Sequence, residues 1–434
     1  MPMKWNLIAL AVAAGSTQLA LASQQSEAQG LVEDSSLSVL SRAMYMNIDS
    51  RHGASNGSSE SVNPAGYAEE TGLGFHAIYE SGFTQGTVGF GVDAFGLAGV
   101  KLDSGKGRAG ALDMQPGSDG RSEDTFSRAG AAVKARISST TLKYGEQFVD
   151  LPVLSTDDSR LLPESVEGFL ATSREIEGLE LNAGHFTALT AQNQMHHDSY
   201  EDDVGKLQSL DLLGASYAVS DELNVAYYFS DVEVGGSDVR GFKKHYANAN
   251  YTLPLAEEQS LNFDFNIYKT RFDNRDASDA DNTIWSLAAA YTLGTHTFTL
   301  GHQRSSGDTG YYYGVDGGGA VYLGNSVQFS DFVGEDERSW QARYDLDMAG
   351  YGVPGLSFMT RYVTGDQIST AAGEEGQEHE WNFETAYVIQ DGVAKDLSFT
   401  VRHAVWRANS AYNADYDVDQ NETRLIVEYP LSIL

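Results

Sequence analysis

The sequence predicts an all-β protein: a transmembrane antiparallel β-barrel of about 18 strands, formed as a single domain by residues 23–434, behind a signal peptide at residues 1–22. Three observations predict it. Apolar and polar residues alternate strictly in segment after segment. An export leader is followed by no apolar run long enough to cross a bilayer as a helix. The connections between the alternating segments fall into two lengths.

The leader comes first. Met1 to Lys4 carry a positive charge, Trp5 to Ala14 form a short apolar run, and Ala20 to Ala22 supply small residues at a cleavage point, followed at once by polar Ser23 to Ser26. Beyond it, the longest apolar stretch, Ile284 to Gly301, is broken by Gly294 and Thr295 and laced with Thr and Ser, so no transmembrane helix is expected. The chain has no cysteine. Disulfides, thiolate metal sites and cysteine nucleophiles are thereby excluded, and a closed hydrogen-bonded barrel is the remaining way to stabilise an exported chain of this length.

The net charge is −33, and removing Lys4 with the leader leaves 27 basic against 61 acidic residues. A surface of that sign repels nucleic acid. Hydrophobic residues still make up 41% and aromatic residues 11%, which argues for a packed structure with its charge segregated into the segments between strands.

The clearest strand is Leu261, Phe263, Phe265 and Ile267 alternating with Asn262, Asp264, Asn266 and Tyr268. The same period appears in Leu223–Val225–Tyr227–Phe229, Trp285–Leu287–Ala289–Tyr291–Leu293 and Trp340–Ala342–Tyr344–Leu346. It continues in Trp381–Phe383–Thr385–Tyr387–Ile389, Leu397–Phe399–Val401 and Thr423–Leu425–Val427–Tyr429. Aromatic residues cluster toward the ends of these apolar faces, as they do at membrane interfaces. Short connections are expected at Ser138–Thr141, Val219–Glu222, Pro254–Gln259, Gly294–Thr295 and Gln390–Asp396. Long ones are expected at Asn47–Glu69, Asp103–Thr125, His185–Gln208, Ser305–Arg338, Asp366–Glu380 and Ala408–Asn421. Alternation of the two lengths matches periplasmic turns and extracellular loops in the outer membrane of a Gram-negative bacterium. A soluble β-helix would need a fixed short repeat, and a sandwich has no need of long loops at one end only.

Register then decides what faces the channel, because a slip of one residue would turn charges into lipid. With Val133, Ala135 and Ile137 outward, Lys134 and Arg136 point inward; the same reasoning turns Arg343, Arg361, Arg402 and Arg424 inward, and Arg42 with them. These bases make either a cationic track for a passing carboxylate or braces paired with lumenal acids such as Asp345, Glu384 and Glu428, and both roles are compatible for different members. Weaker motifs carry less. Met195 to Asp198 holds adjacent histidines in a polar loop without metal-site spacing. Asp415 to Glu422 begins like a calcium loop but lacks the glycine at the sixth position and the later bidentate Glu. Gly89–Gly91 and Gly317–Gly319 precede no helix and so are not phosphate cradles. No spacing of Ser, His and Asp commits to a catalytic triad, and no enzyme activity, cofactor or metal is expected.

Several segments together resemble the OprD family of substrate-specific outer-membrane porins. They are Ser81-Gly-Phe-Thr-Gln-Gly-Thr-Val-Gly-Phe-Gly-Val-Asp-Ala94, Val133-Lys-Ala-Arg-Ile137, Leu151-Pro-Val-Leu154 with Asp158-Ser-Arg-Leu-Leu-Pro-Glu164, Ser173-Arg-Glu-Ile-Glu-Gly178 with Asn182-Ala-Gly-His-Phe-Thr187, and the closing Arg424-Leu-Ile-Val-Glu-Tyr-Pro-Leu-Ser-Ile-Leu434. The resemblance implies two long loops folded inward to form a constriction, one at Leu151–Glu164 and one at Ser305–Arg338, with Ser159, Arg160, Asp308, Tyr311 and Tyr312 placed to size a solute. It implies a basic ladder at Lys134, Arg136, Arg361, Arg402 and Arg424, to which the register argument adds Arg343 and Arg42. The expected function is passive, selective diffusion of small carboxylate-containing solutes, either amino acids or aromatic and aliphatic organic acids. The expected surroundings are outer-membrane lipid and lipopolysaccharide, with the protein a monomer or a weak trimer. A lipid-modifying barrel enzyme and a receptor or adhesin acting through the long acidic loops are the alternatives from other classes.

Overall fold

Strict alternation gives each strand one apolar and one polar face, and the computed structural model closes these strands into a barrel. It describes residues 23–57, 64–275 and 278–434; the expected leader at 1–22 lies outside them. The first wall segments are β1 (Ser36–Ser50), β2 (Tyr67–Glu80), β3 (Val88–Asp103), β4 (Thr125–Ile137) and β5 (Thr140–Gln147), followed by a separate small hairpin of β6 (Asp150–Leu151) and β7 (Leu154–Ser155). The wall resumes with β8 (Ser165–Ile176), β9 (Leu179–Thr190), β10 (Lys206–Ala218), β11 (Leu223–Gly235), β12 (Val239–Ala256), β13 (Gln259–Asn274) and β14 (Ala280–Leu293). It ends with β15 (His296–Gly307), β16 (Arg338–Asp347), β17 (Leu356–Ile368), β18 (Gly376–Val388), β19 (Ser398–Ala408) and β20 (Gln420–Ser432).

Eighteen of these strands form one antiparallel sheet, each paired with its neighbours in sequence. Pairing of β1 with β20, from Ser38 opposite Ser432 to Ser50 opposite Gln420, closes it. Closure leaves no edge, so backbone donors and acceptors along the wall are satisfied within the sheet, as a lipid environment requires.

Four turns at one end are tight, each with a single residue in a left-handed conformation: Ser138, Gly178, Glu258 and Gly294. The other end carries the long loops, with three exceptions to the expected alternation, one of them the connection expected at Asp366–Glu380, which shrinks to residues 369–375 between β17 and β18. The β11–β12 connection is only residues 236–238, and the β13–β14 connection only 275–279. In this sector the strands themselves are extended, β12 to 18 residues and β13 to 16, so strand replaces loop beyond the membrane.

The outward face is apolar: Val133, Leu213, Leu300, Trp340 and Phe383 are all exposed. The inward face is polar except where a loop covers it. Met44, Met46 and Leu97 form one buried cluster with Leu112, Met114, Leu161 and Leu162, and Leu210, Leu212, Tyr246 and Tyr268 form another with Val153, Leu154, Tyr311 and Val315. The inward apolar residues are therefore docking surfaces for three inward-folded loops: 148–164, 308–337 and, beyond the two expected, 104–124. Burial of Leu112 and Met114 supplies the reason for the third, since both would otherwise meet water.

Candidate functional site: the constricted lumen

The loop at 148–164 enters the barrel because small residues on the wall admit it. A Cβ at Gly74 would lie 2.5 Å from the carbonyl oxygen of Leu161, and one at Gly72 would lie 2.8 Å from the Leu161 side chain. His76 Nε2 contacts the same carbonyl at 2.9 Å. Arg42 locks the loop from β1. Its guanidinium donates to Asp158 Oδ1 at 2.8 Å and to Arg160 O at 2.6 Å, while pairing with Glu428 at 2.9 Å.

The loop at 308–337 is held on the opposite wall by an aromatic cluster and a buried ion pair. Tyr311 packs 4.8 Å from the Tyr268 ring and donates through its hydroxyl to Ala320 O at 2.6 Å; Tyr312 donates to Asp202 Oδ2 at 2.6 Å. Lys244 on β12 donates to Asp316 Oδ2 at 2.5 Å and to Tyr312 O at 2.9 Å, with the Tyr311 ring 4.7 Å away. Burial pushes the Asp316 carboxyl up, and Lys244 and the Gly314 amide act against that shift.

The two loops meet across the lumen. Ser155 N donates to Asp316 O at 3.1 Å, Gly319 N to Ser155 O at 3.0 Å, and Gly318 N to Glu164 Oε2 at 2.9 Å. Tyr322 donates to Asp150. The three glycines at 317–319 thus form the seam: a Cβ on Gly317, whose φ is +90°, would lie 2.1 Å from Ser155 O. Farther along, Phe329 N and Ser330 N donate to Glu380 at 3.0 and 2.8 Å, and Gln328 O accepts from Arg424 Nη2 at 3.1 Å.

Of the residues singled out in the sequence, Arg343 lies directly opposite Arg361 on adjacent strands, and Arg402 directly opposite Arg424. Arg343 pairs with Asp345 at 2.7 Å, Arg402 with Glu384 at 2.6 Å and Arg424 with Glu422. Arg361 is 9% exposed and donates instead to the Asn382 side-chain carbonyl at 2.6 Å; among the described residues no carboxylate lies within 4.0 Å of it. Lys134 and Arg136 lie apart from this row, near the tight-turn end of β4. Lys134 pairs with Asp93 at 2.6 Å, and Arg136 stacks on Phe83 at 4.0 Å and donates to Gln25 at 3.0 Å.

Ser159 is exposed at the tip of the first loop and donates to Asp157 Oδ2 at 2.7 Å; Arg160 donates to Ser159 Oγ at 2.9 Å and lies 3.5 Å from Asp113. Tyr311 and Tyr312 lie between the second loop and the wall. Asp308 is exposed where β15 ends, accepting from Asp281 N at 3.2 Å.

Inward bases missed in the sequence include Lys244 of the buried ion pair, Lys143 and Arg128. Lys143 stands opposite Lys134 and shares Asp93 at 2.8 Å; the alternation of Leu142 and Tyr144 outward identifies it. Arg128, in phase with Lys134, donates to Ala191 O at 2.7 Å and to Pro163 O, tying two loops to β4.

A closed 18-strand barrel constricted by inward loops invites comparison with known channels. The model of the family described as outer membrane porin, OprD family, matches residues 29–433. This chain belongs to the OprD family of outer-membrane porins. It is 47% identical over 463 aligned residues to Porin D of Pseudomonas aeruginosa, covering 100% of this chain and 99% of that protein. OccAB1 of Acinetobacter baumannii superposes with a TM-score of 0.86 at 35% identity, over 95% of this chain and 100% of that one. OpdK of Pseudomonas aeruginosa, solved with vanillate, gives 0.81 at 33% identity, over 93% and 100%. As an OprD-family porin the protein is a substrate-specific channel in the outer membrane of a Gram-negative bacterium, and its relatives are channels rather than enzymes.

Proposed function

We propose that this porin passes small carboxylate-bearing solutes by passive diffusion, leading the carboxylate along Arg343, Arg361, Arg402 and Arg424. The observation that carries the reading is Arg361, a lumenal guanidinium bonded to an amide rather than a carboxylate. Its neighbours are each paired to an acid, so each offers a shallow site, whereas the Arg361 guanidinium, bonded through Nε to an amide, has among the described residues no paired carboxylate to compete with a solute. Several weak sites in series permit both entry and release, whereas one deep site would trap the solute. Asp345, Glu384 and Glu422 brace the row at the same time, so track and brace coexist on one wall. Arg42, also in the basic row, serves chiefly to hold the first loop, and Lys134 and Arg136 offer cations toward the exit.

The solute is sized where Ser159 and Arg160 face the second loop; Tyr311 and Tyr312 fix that loop's position, and exposed Asp308 acts at the mouth. Vanillate in the OpdK structure is an aromatic carboxylate, which supports this class of solute. The test is benzoate uptake and single-channel recording with Arg361→Ala and Arg402→Ala. Both quantities are expected to fall, and unchanged uptake together with unchanged current would overturn the ladder.

A further inference from the structure

Lys244 faces inward and is neutralised; the base beside it faces outward in a different setting. On the outer face of β12 and β13, Lys243 stands directly opposite Arg271, and His245 directly opposite Lys269. All four side chains are exposed. Lys243 and Arg271 are like charges in direct opposition, which destabilises a sheet and calls for a counter-anion.

Among the described residues the protein supplies one to Lys243 and to Arg271, which also faces Asp281 on β14, but not to Lys269. Asp231 on β11 holds Lys243 at 2.5 Å, Asp279 holds Arg271 at 2.9 Å, and His245 Nδ1 contacts the Tyr227 hydroxyl at 2.8 Å. Lys269 lies opposite Thr283 on its other side, and among the described residues no carboxylate is within 4.0 Å of its ammonium.

The height of the block on the barrel identifies what would meet it. Directly below, toward the membrane, the outward pairs are Ala247 with Ile267 and Ala249 with Phe265, and Trp285 lies opposite Ile267. Trp marks the headgroup boundary of a membrane-spanning barrel, and Lys269 is one outward position, about 7 Å of strand, beyond it. At the long-loop end this is the headgroup layer of the outer leaflet, whose lipopolysaccharide carries phosphates on its lipid anchor. A cationic block on a chain of net charge −33, set at that level over an apolar wall, is complementary to such a lipid in both charge and shape.

We propose that Lys243, His245, Lys269 and Arg271 form a binding site for the phosphate groups of the outer-leaflet glycolipid. The proposal rests on the outer-membrane location and is independent of which solute the channel carries.

Native mass spectrometry of the full-length porin, offered bis-phosphorylated lipid A or its dephosphorylated form, tests it. The wild-type protein is expected to retain the phosphorylated lipid and not the dephosphorylated one. Lys269→Gln with Arg271→Gln should weaken retention about thirtyfold, two cations at an anionic surface being worth about 2 kcal/mol. If that double variant does not form a barrel, Lys269→Gln alone should show about a fivefold loss, and Lys269→Arg should retain the lipid. Equal retention of both lipids, or equal retention by the glutamine variants, would overturn the site. Displacement by millimolar inorganic phosphate would overturn the lipid as its source. Benzoate uptake should not change in the glutamine variants, so failure here leaves the transport reading standing.

Discussion

Lys244 on the barrel wall and Asp316 in the second constricting loop form a 2.5 Å ion pair in which both side chains are wholly buried. The backbone of Asp316 also accepts from Ser155 N, so the pair fixes both loops at once. Removing one partner of a buried pair leaves the other charge unpaired, at a cost of about 3–5 kcal/mol. Lys244→Met is therefore expected to release the 308–337 loop and give larger, noisier single channels, while the wall's resistance to heat stays unchanged. Adding Asp316→Leu should restore quiet channels, because an apolar pair of similar volume is tolerated there. Wild-type currents from Lys244→Met would show that the loop is held elsewhere.

Gly317 gives a second handle on the seam. An alanine there would combine the left-handed backbone, disfavoured by about 1–2 kcal/mol, with a Cβ 2.1 Å from Ser155 O. Gly318, whose Cβ would come no closer than 3.0 Å to Asp157, is the milder control. Limited proteolysis of the folded porin should cut within 308–337 faster in Gly317→Ala than in Gly318→Ala. Equal rates would mean that the glycines are incidental to the contact.

The barrel was legible because alternation is a local property: Leu261 to Tyr268 states its own inside and outside. Tyr268 illustrates where that legibility stops. Its inward position follows from register, but its burial follows from a hydroxyl that donates to Pro152 O at 3.0 Å and accepts from Tyr322 N at 3.1 Å, two contacts from distant loops. In the same way, Arg343, Arg361, Arg402 and Arg424 were placed inward by their own strands, whereas the partner beside each, a carboxylate for three of them and the Asn382 amide for Arg361, depends on pairing and rotamer. The third inward loop left a faint sign in Ala111, Leu112 and Met114, an apolar run amid a polar connection. Nothing in periodicity distinguishes a loop that covers the mouth from one that enters it.

Register itself can be tested with a pair of adjacent substitutions on β15. Leu300 faces lipid at 68% exposure between Ala289 and Ala342, while Thr299 faces the lumen opposite Arg343. Leu300→Arg is expected to reduce folding stability by about 2–4 kcal/mol, the cost of a charge near the bilayer midplane. Thr299→Arg should change stability little and alter conductance instead. Urea titrations of folding into lipid vesicles separate the two; equal losses would contradict the assigned faces.

Glu164 is expected to make loop closure depend on pH. Its Oε2 accepts from Asp157 N at 2.8 Å and Gly318 N at 2.9 Å, and its carboxyl is pushed up to about 8, first by burial and then by the neighbouring Asp157 carboxylate. The closed loop thus binds this proton more tightly than an open, solvated loop with a carboxyl near its ordinary 4.5. The proton-linked advantage of closure is full below about pH 4.5 and is lost as pH rises through about 8. Loop opening, read as single-channel noise, is accordingly expected to increase from about pH 5 to about pH 9 in the wild-type porin. Glu164→Gln keeps an acceptor for both amides and has no proton to lose, so its noise should stay flat over that range. A variant that still tracked the wild-type curve would assign the pH dependence to another group.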